Sequence, residues 1–241
     1  MIAPPRLEVC LSPALLHLFD TRDTLTVIID IFRATSTITA ALDNGATRVL
    51  PVASVADCIE LGAQIPHSIT AGERDGKVAE GLQHGNSPLE YPPSFIRDKT
   101  LILTTTNGTR LLHMVEDAHT IIIGSFLNLD VVCDYLIAAR RPVLLGCSAW
   151  KDRFNLEDTL FAGAVVERVQ SYFSINCDSA RAARILHQAA APDYFEFIRD
   201  SSHYRRLAAY GLEGDMVYCM TPNQHPILPI LKGNELVVHR P

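Results

Sequence analysis

Six short stretches of this chain are apolar almost without a break: TVIID (26–30), TRVLPV (47–52), SITAG (68–72), TLILTT (100–105), TIIIGS (120–125) and PVLLGC (142–147). A strand with one wet face alternates apolar and polar side chains; a strand covered on both faces has no need to. Such runs call for a sheet with helices on either side. Segments with apolar residues at helical spacing lie between and after them, at 35–44, 54–63, 107–116, 128–140 and 157–172. Strands alternating with helices through short loops predict an α/β fold. We expect three layers, α/β/α, around a largely parallel or mixed sheet.

Two stretches follow one plan. TVIIDIFRATSTITAALDNGATRVLPV and TLILTTTNGTRLLHMVEDAHTIIIGS each read as strand, Thr-containing polar turn, helix, strand. Two outcomes stay open: a single domain over 1–241, or two similar βαβ-type subdomains packed tightly and dividing near residue 95. Past residue 174 the pattern changes. Residues 178–191 predict a helix and 193–209 a second one. The stretch 215–239 reads as short extended pieces with turns at Pro222–Asn223 and Gly233–Asn234, where packing is expected more than chemistry.

With 48% hydrophobic and 20% charged residues over 241 positions, the chain is globular in composition and long enough for a sizeable core. A net charge of −6 and no run of Lys or Arg argue against nucleic acid as a partner. A few local arginines can still set the field in a cleft that takes a small anionic substrate. The stretch MIAPPRLEVCLSPALLHLF has only Arg6 before its apolar part and three prolines inside, which makes a poor signal peptide. No apolar run approaches the roughly 20 residues of a membrane span, so no membrane is expected. Six cysteines lie far apart with no CxxC pair. They predict buried free thiols in a reducing cytoplasm, not zinc or disulfides. Self-association into a homo-oligomer stays open.

Polar loops follow four of the apolar runs. Asp30 closes the first, and Arg33, Thr35, Ser36 and Thr37 follow as a helix opens. Strand ends in a parallel sheet form the crevice where ligands bind, and the free N–H groups of a helix start suit an anion. Asp30 can hold Mg²⁺, which prefers oxygen ligands and often takes one or two carboxylates plus substrate phosphate. The simpler alternative is a hydroxyl N-cap with Asp30 in a turn. AGERDGK (71–77) places Glu73 and Arg74 on a glycine-flanked turn, and HGNSPLE (84–90) holds Asn86 and Ser87 before Pro88. A solvated loop with a surface ion pair would look the same. In TTTNGT (104–109) three threonines come before Asn107, Gly108 and Thr109 and form a neutral donor cradle. NG is also a hairpin signal, but the helical period of RLLHMVEDA fits a hairpin badly. CSAWKDRFNLEDTLFAG (147–163) opens a helix near Glu157 and Asp158. Acids in a first turn follow from the helix dipole alone, and either of these is also a candidate metal ligand.

The four loops are expected to converge on one edge of one sheet. Carboxylates and arginines with hydroxyls, and no His or Cys set, point to metal-assisted phosphate-ester chemistry. Neither a phosphocysteine nor an RHG-type phosphohistidine intermediate is expected. Phe32 stands where the haloacid-dehalogenase pattern has its second Asp, and GxSxG, GxGxxG and GxxxxGK[ST] are absent.

Through VIIDIFRATST, AGERDGK, GLQHGNSPLEY, LTTTNGTRLL, GSFLN, RFNLEDTLFAGAVVERV and SSHYRRLAAYGLEGDMVYCM, nearly the whole chain resembles the 2-phosphosulfolactate phosphatase family of magnesium-dependent acid phosphatases. The resemblance implies release of inorganic phosphate from 2-phosphosulfolactate to give sulfolactate, a step toward coenzyme M, on an α/β architecture of its own. Phe32 and Trp150–Asp152 depart from the family's pattern. On this reading Asp30, with Glu157 or Asp158, holds Mg²⁺, while Arg33 and Arg74 clamp the phosphate and the carboxylate or sulfonate. Donors at 35–37 (Thr35 and Ser36 among them) and at Asn107, Gly108 and Thr109 complete an oxyanion cradle. Glu73 serves as general acid or base, with Asn86 and Ser87 positioning water or substrate. Asp30 as nucleophile is the open alternative. Two other classes remain: a non-catalytic binder of a phosphorylated acid, and a metal-dependent hydrolase or lyase acting on another bond of a sulfonated acid.

Overall fold

The structure, a computed structural model, describes residues 3–74 and 76–240. All six apolar runs are strands. Behind a short β1 (Leu7–Cys10) come β2 (Leu25–Ile29), β3 (Arg48–Pro51), β4 (Ser68–Arg74), the two-residue β5 (Lys77–Val78), β6 (Thr100–Thr104), β7 (Thr120–Gly124) and β8 (Val143–Cys147). A hairpin, β9 (Pro229–Lys232) and β10 (Glu235–Val238), ends the chain. Helices α1 (Ala34–Asp43), α2 (Val55–Gln64), α3 (Pro93–Ile96), α4 (Gly108–Met114), α5 (Leu129–Ala139) and α6 (Leu156–Val169) intervene. They are followed by α7 (Asp178–Ala190), α8 (Tyr194–Ile198), α9 (Ser202–Ala208) and α10 (Glu213–Cys219).

Among the described residues these strands form one mixed sheet in the order β1-β8-β2-β7-β9-β10-β3-β6-β4-β5. Both its faces are dry, as the uninterrupted runs require. Val27 and Ile29 enter one core and Ile28 the other; Leu145 and Leu144, and Ile122 and Ile123, divide in the same way. The first core joins β1, β2 and β8 to α5, α6 and α7. The second joins strands from both ends of the sheet, through Ile28, Val49, Leu101 and Ile123, to Ile38 of α1 and Leu111 of α4. A small third cluster sets Leu50 and Ile102 against Cys58 of α2. The result is a three-layer α/β/α arrangement.

The sheet contains two parallel sets. β1, β8, β2 and β7 run together, as do β3, β6 and β4. Between the sets lie three antiparallel pairings: β7 with β9, β9 with β10, and β10 with β3. Three reversals leave the sets pointing in opposite directions. In a flat sheet their carboxyl ends would lie on opposite edges, which corrects the expectation of one shared edge. Neighbouring strands twist by roughly 20–25°. At the junctions the ladder thins to single registered pairs, Ile122 with Ile230 and Val49 with Leu236, which leaves the sheet free to coil there. It wraps α1, whose residues from Ala34 to Leu42 are all buried. The end of β2 thereby meets the end of β6: a Cβ on Gly108 would lie 2.7 Å from Asp30 Oδ2 and 2.9 Å from the Ala34 Cβ. The two similar units interlock, since β2 of the first pairs with β7 of the second and β3 with β6. That is the arrangement two copies of one unit take about a local twofold axis.

Two expectations past residue 174 need correction. Residues 193–209 form two helices because Asp193 and Ser201 each cap a start, accepting from Glu196 N–H and Tyr204 N–H. Residues 215–219, expected to be extended, belong to α10, with Glu213 and Asp215 in its first turn where the helix dipole favours acids. The turn at Gly233, with φ +61°, is as expected. No helix among the described residues is long and apolar enough to cross a membrane.

Helices α6 and α7 cross where Gly163 lets them touch: a Cβ there would sit 2.0 Å from Ala183 O. That neighbour is backbone and cannot swing aside. Gly163→Ala is therefore expected to lower the unfolding free energy by roughly 1–3 kcal/mol, read as a lower urea midpoint at constant slope. An unchanged midpoint would mean the crossing is looser than described.

Candidate active site

A pocket opens where the two strand sets meet. Asp30, Phe32 and Arg33 line it from the loop after β2, Glu73 and Gly76 from the end of β4, and Asn86, Thr105 and Asn107 from the loops around β6. Trp150, after β8, closes one side. The adjoining wall is His203, Arg206 and Leu207 of α9 with Tyr210 just beyond it.

The hydroxyls that follow Asp30 hold the backbone of the turn. Thr35 Oγ1 donates to Asp30 O at 2.9 Å, Ser36 Oγ to Ile31 O at 3.0 Å, and Thr37 Oγ1 to Asn86 O at 2.9 Å. They fix Asp30 and tie the Asn86 loop to α1, but they do not line the pocket. Arg33 does line it and is ion-paired with Asp215 of α10, which also accepts from Ser87 Oγ at 2.8 Å. Arg74 lies outside the wall and donates to Glu73 O at 2.6 Å and Thr104 Oγ1 at 3.3 Å. Thr109 Oγ1 donates to Thr105 O at 3.0 Å and closes the first turn of α4. Asn107 stays on the wall, its Oδ1 accepting Lys151 N–H at 3.4 Å. Gly108 is the residue whose missing side chain makes room for the Asp30 carboxylate.

The carboxylates divide by what their oxygens accept. Glu73 Oε1 takes Thr106 N–H at 3.2 Å and Thr106 Oγ1–H at 2.9 Å, and its Oε2 takes Gly76 N–H at 3.0 Å. Asp158 accepts Ile31 N–H at 2.9 Å and Ala149 N–H at 3.2 Å, fastening the loop after β2 to the loop after β8. Glu157, fully buried, bonds His203 Nδ1 through Oε1 at 2.5 Å. Its Oε2 is buried with no hydrogen-bond partner, and so is Asn86 Oδ1. Burial pushes the Asp30 carboxyl up to about 7; His203 opposes this, while the charges of Glu73 and Glu157 add to it. Asp158 is driven well above the usual range by burial first and then by Glu157 and Asp30. Acids crowded in a dry site, with two oxygen acceptors lacking donors, form an environment that a cation relieves. Among the described residues no three His, Cys, Asp or Glu side chains group closely enough to cage a metal by themselves.

His203, Arg206 and Asp215 escaped the sequence reading, and Trp150 entered it only as a departure from the family's pattern. The signal for two of them was a polar residue at a core position of a short helix. His203 is buried beside Tyr204 and Leu207, and Asp215 beside Met216 and Cys219. One spacing runs against the expectation of no phosphocysteine chemistry: CSAWKDR, 147–153, has a Cys six positions before an Arg. The fold leaves it inert. Cys147 ends β8 at 1% exposure, its thiol pushed well above its ordinary range by burial and then by Asp158, while Arg153 is exposed. A reactive thiolate needs access and an electropositive setting.

Comparison with known sequences agrees with the resemblance. The sequence model of a family described as 2-phosphosulpholactate phosphatase matches residues 10–234. A protein of Caldanaerobacter subterraneus subsp. tengcongensis named "Probable 2-phosphosulfolactate phosphatase" is 36% identical over 217 residues, 89% of this chain and 90% of its own. A Thermotoga maritima protein of the same name is 39% identical over 212 residues, 88% of this chain and 91% of its own. One from Synechococcus sp., also so named, is 39% identical over 209 residues, 84% of this chain and 86% of its own.

In the native protein Cys147 is expected to resist iodoacetamide while the partly exposed Cys177 is alkylated, with both modified after denaturation. Peptide mass spectrometry reads the two directly. Rapid native labelling of Cys147 would reopen the phosphocysteine reading.

Proposed function

The chain belongs to the 2-phosphosulpholactate phosphatase family, and on that premise we propose that it is a Mg²⁺-dependent phosphohydrolase of the cytoplasm. It converts 2-phosphosulfolactate, or a closely related phosphorylated small acid, to sulfolactate and inorganic phosphate. The observation that supports the metal is the pair of buried acceptors without donors, Glu157 Oε2 and Asn86 Oδ1, beside the crowded Asp30 carboxyl. Asp30 and Glu157 are the residues that would hold the ion. Both oxygens of Asp158 already accept backbone N–H groups, so Asp158 positions the loops instead. When bound, Mg²⁺ would supply Lewis-acid neutralisation of phosphate charge.

The chain's own groups do the rest. Arg33, oriented by Asp215, offers guanidinium donors to the phosphoryl oxygens, and Asn107 offers its amide. Glu73 accepts three hydrogen bonds, which leaves a carboxylate room for one more, from the attacking water. Glu73 takes one proton of the water as its oxygen bonds to phosphorus and the ester P–O bond breaks; the leaving alkoxide takes a proton from solvent, to which Glu73 returns its own. Thr35, Ser36 and Thr109 contribute through the backbone they hold, Ser87 through Asp215, and Arg74 through the Glu73 carbonyl.

Phosphate release from 2-phosphosulfolactate, measured with Mg²⁺ and with chelator, tests this reading. Asp30→Asn is expected to abolish metal-dependent release with the circular dichroism spectrum unchanged; survival of both activity and metal dependence would remove Asp30 from the site. Gly108→Ala pushes a methyl to within 2.7 Å of Asp30 Oδ2. It is expected to lower kcat about 10²-fold, the scale on which a misplaced catalytic group costs rate. A kcat equal to that of the parent would show that Asp30 need not sit where Gly108 allows it.

A further inference from the structure

Within the phosphoester reading of the pocket, the substrate brings a second anionic group, and the loops leave that group without a clamp. Arg33 and Arg74 were expected to share the two anions. Arg74 lies outside the wall, bonded to Glu73 O and Thr104 Oγ1, and Arg33 stands beside the Asp30 loop. We propose that Arg206, seated on the indole of Trp150, forms a subsite for the acid group of the substrate, a carboxylate or sulfonate separate from the phosphate.

Three features support the assignment. His203, Arg206, Leu207 and Tyr210 all line the pocket and follow the i, i+3, i+4, i+7 spacing of one helix face. Arg206 therefore shares its face with His203, whose place Glu157 fixes. The Arg206 Cζ lies 3.9 Å from the centre of the Trp150 ring. A guanidinium set against a ring face directs its N–H donors along its own plane, in the fork that matches paired oxyanion oxygens. Finally, the ring platform is built to stay in place. Trp150 N–H donates to Arg153 O at 2.8 Å and Arg153 N–H to Trp150 O at 2.9 Å, closing a tight turn on Lys151 and Asp152.

Ala149, Lys151 and Asp152 all have left-handed backbone, with φ of +58°, +49° and +63°. Non-glycine residues hold that conformation where the surroundings over-determine it. Here Asp158 anchors Ala149 N–H, Ser12 Oγ donates to Asp152 O at 2.8 Å, and Arg110 Nη1 donates to Asp152 Oδ1 at 2.9 Å. Rings then run in a row from the Asp30 loop to the proposed subsite. Phe32 lies 5.8 Å from His203, His203 lies 5.8 Å from Trp150, and Arg206 caps the far end.

Trp150 is the chain's one tryptophan, so its fluorescence reports binding at this place without any turnover. Titrations in the presence of Mg²⁺ would use sulfolactate, 2-hydroxyethanesulfonate, lactate and inorganic phosphate. Arg206→Gln is expected to weaken sulfolactate by at least about tenfold and to leave phosphate within about twofold, the pattern of a lost charged contact confined to one group. Arg206→Lys should recover part of the loss, and a parental circular dichroism spectrum and melting temperature confirm folding. Dependence on Arg206 for 2-hydroxyethanesulfonate identifies a sulfonate site; dependence for lactate identifies a carboxylate site. Equal weakening of phosphate and sulfolactate, an unchanged sulfolactate affinity, or no sulfolactate binding to the parent protein would each overturn the subsite. Arg206-dependent binding without phosphate release from 2-phosphosulfolactate would fault the phosphatase reading alone. Normal release with an unchanged sulfolactate affinity would fault the subsite alone.

Discussion

The contact between Asp30 and Gly108 is the constraint around which the rest of this molecule is arranged. Asp30 belongs to one parallel set of strands and Gly108 follows a strand of the other, and the two sets point in opposite directions. They meet only because the β9–β10 hairpin inserts three antiparallel pairings and the sheet coils around α1. The C-terminal hairpin, far from the pocket in sequence, is thus what makes the pocket possible. A side chain at 108 would press on the Asp30 carboxylate and on the Ala34 methyl.

Burying acids is expensive, and the structure handles each in a different way. Asp158 is satisfied by two backbone N–H groups, Glu73 by three donors, and Asp215 by Arg33 and Ser87. Glu157 is half satisfied by His203, with one oxygen bare, and the Asp30 carboxyl is pushed upward by burial and by its neighbours. A fully paired carboxylate is structural in character, as at Asp158 and Asp215, whereas the three donors on Glu73 leave one acceptor position open. Acids left incomplete in a cleft are where a ligand is expected to complete them.

The sheet was legible because burial on both faces removes the alternation that marks an exposed strand, and all six runs became strands. The coil was not, since β9 and β10 are short and their pairing partners lie about 100 or more residues away. In the site, the strand-end loops could be read from their acids and glycines, which placed Asp30, Arg33, Glu73, Asn86 and Asn107 on one wall. The wall from α9 and Asp215 of α10 went unread, because a buried His or Asp on a short amphipathic helix looks like part of its polar face. Thr35 and Ser36 show the reverse case. A hydroxyl at a helix start can cap, hold a turn or bind an anion, and only coordinates reveal that here it holds Asp30 and Ile31.

The incomplete acids, Asp30 and Glu157, are proposed to hold the cation that the phosphate meets. Anomalous diffraction from crystals grown with Mn²⁺ in place of Mg²⁺ tests this most directly. The expected result is one strong peak at about 2.1 Å from oxygens of Asp30 and Glu157, the bond length of a hard octahedral cation. A metal bound elsewhere, with both carboxylates bare of it, would contradict the claim.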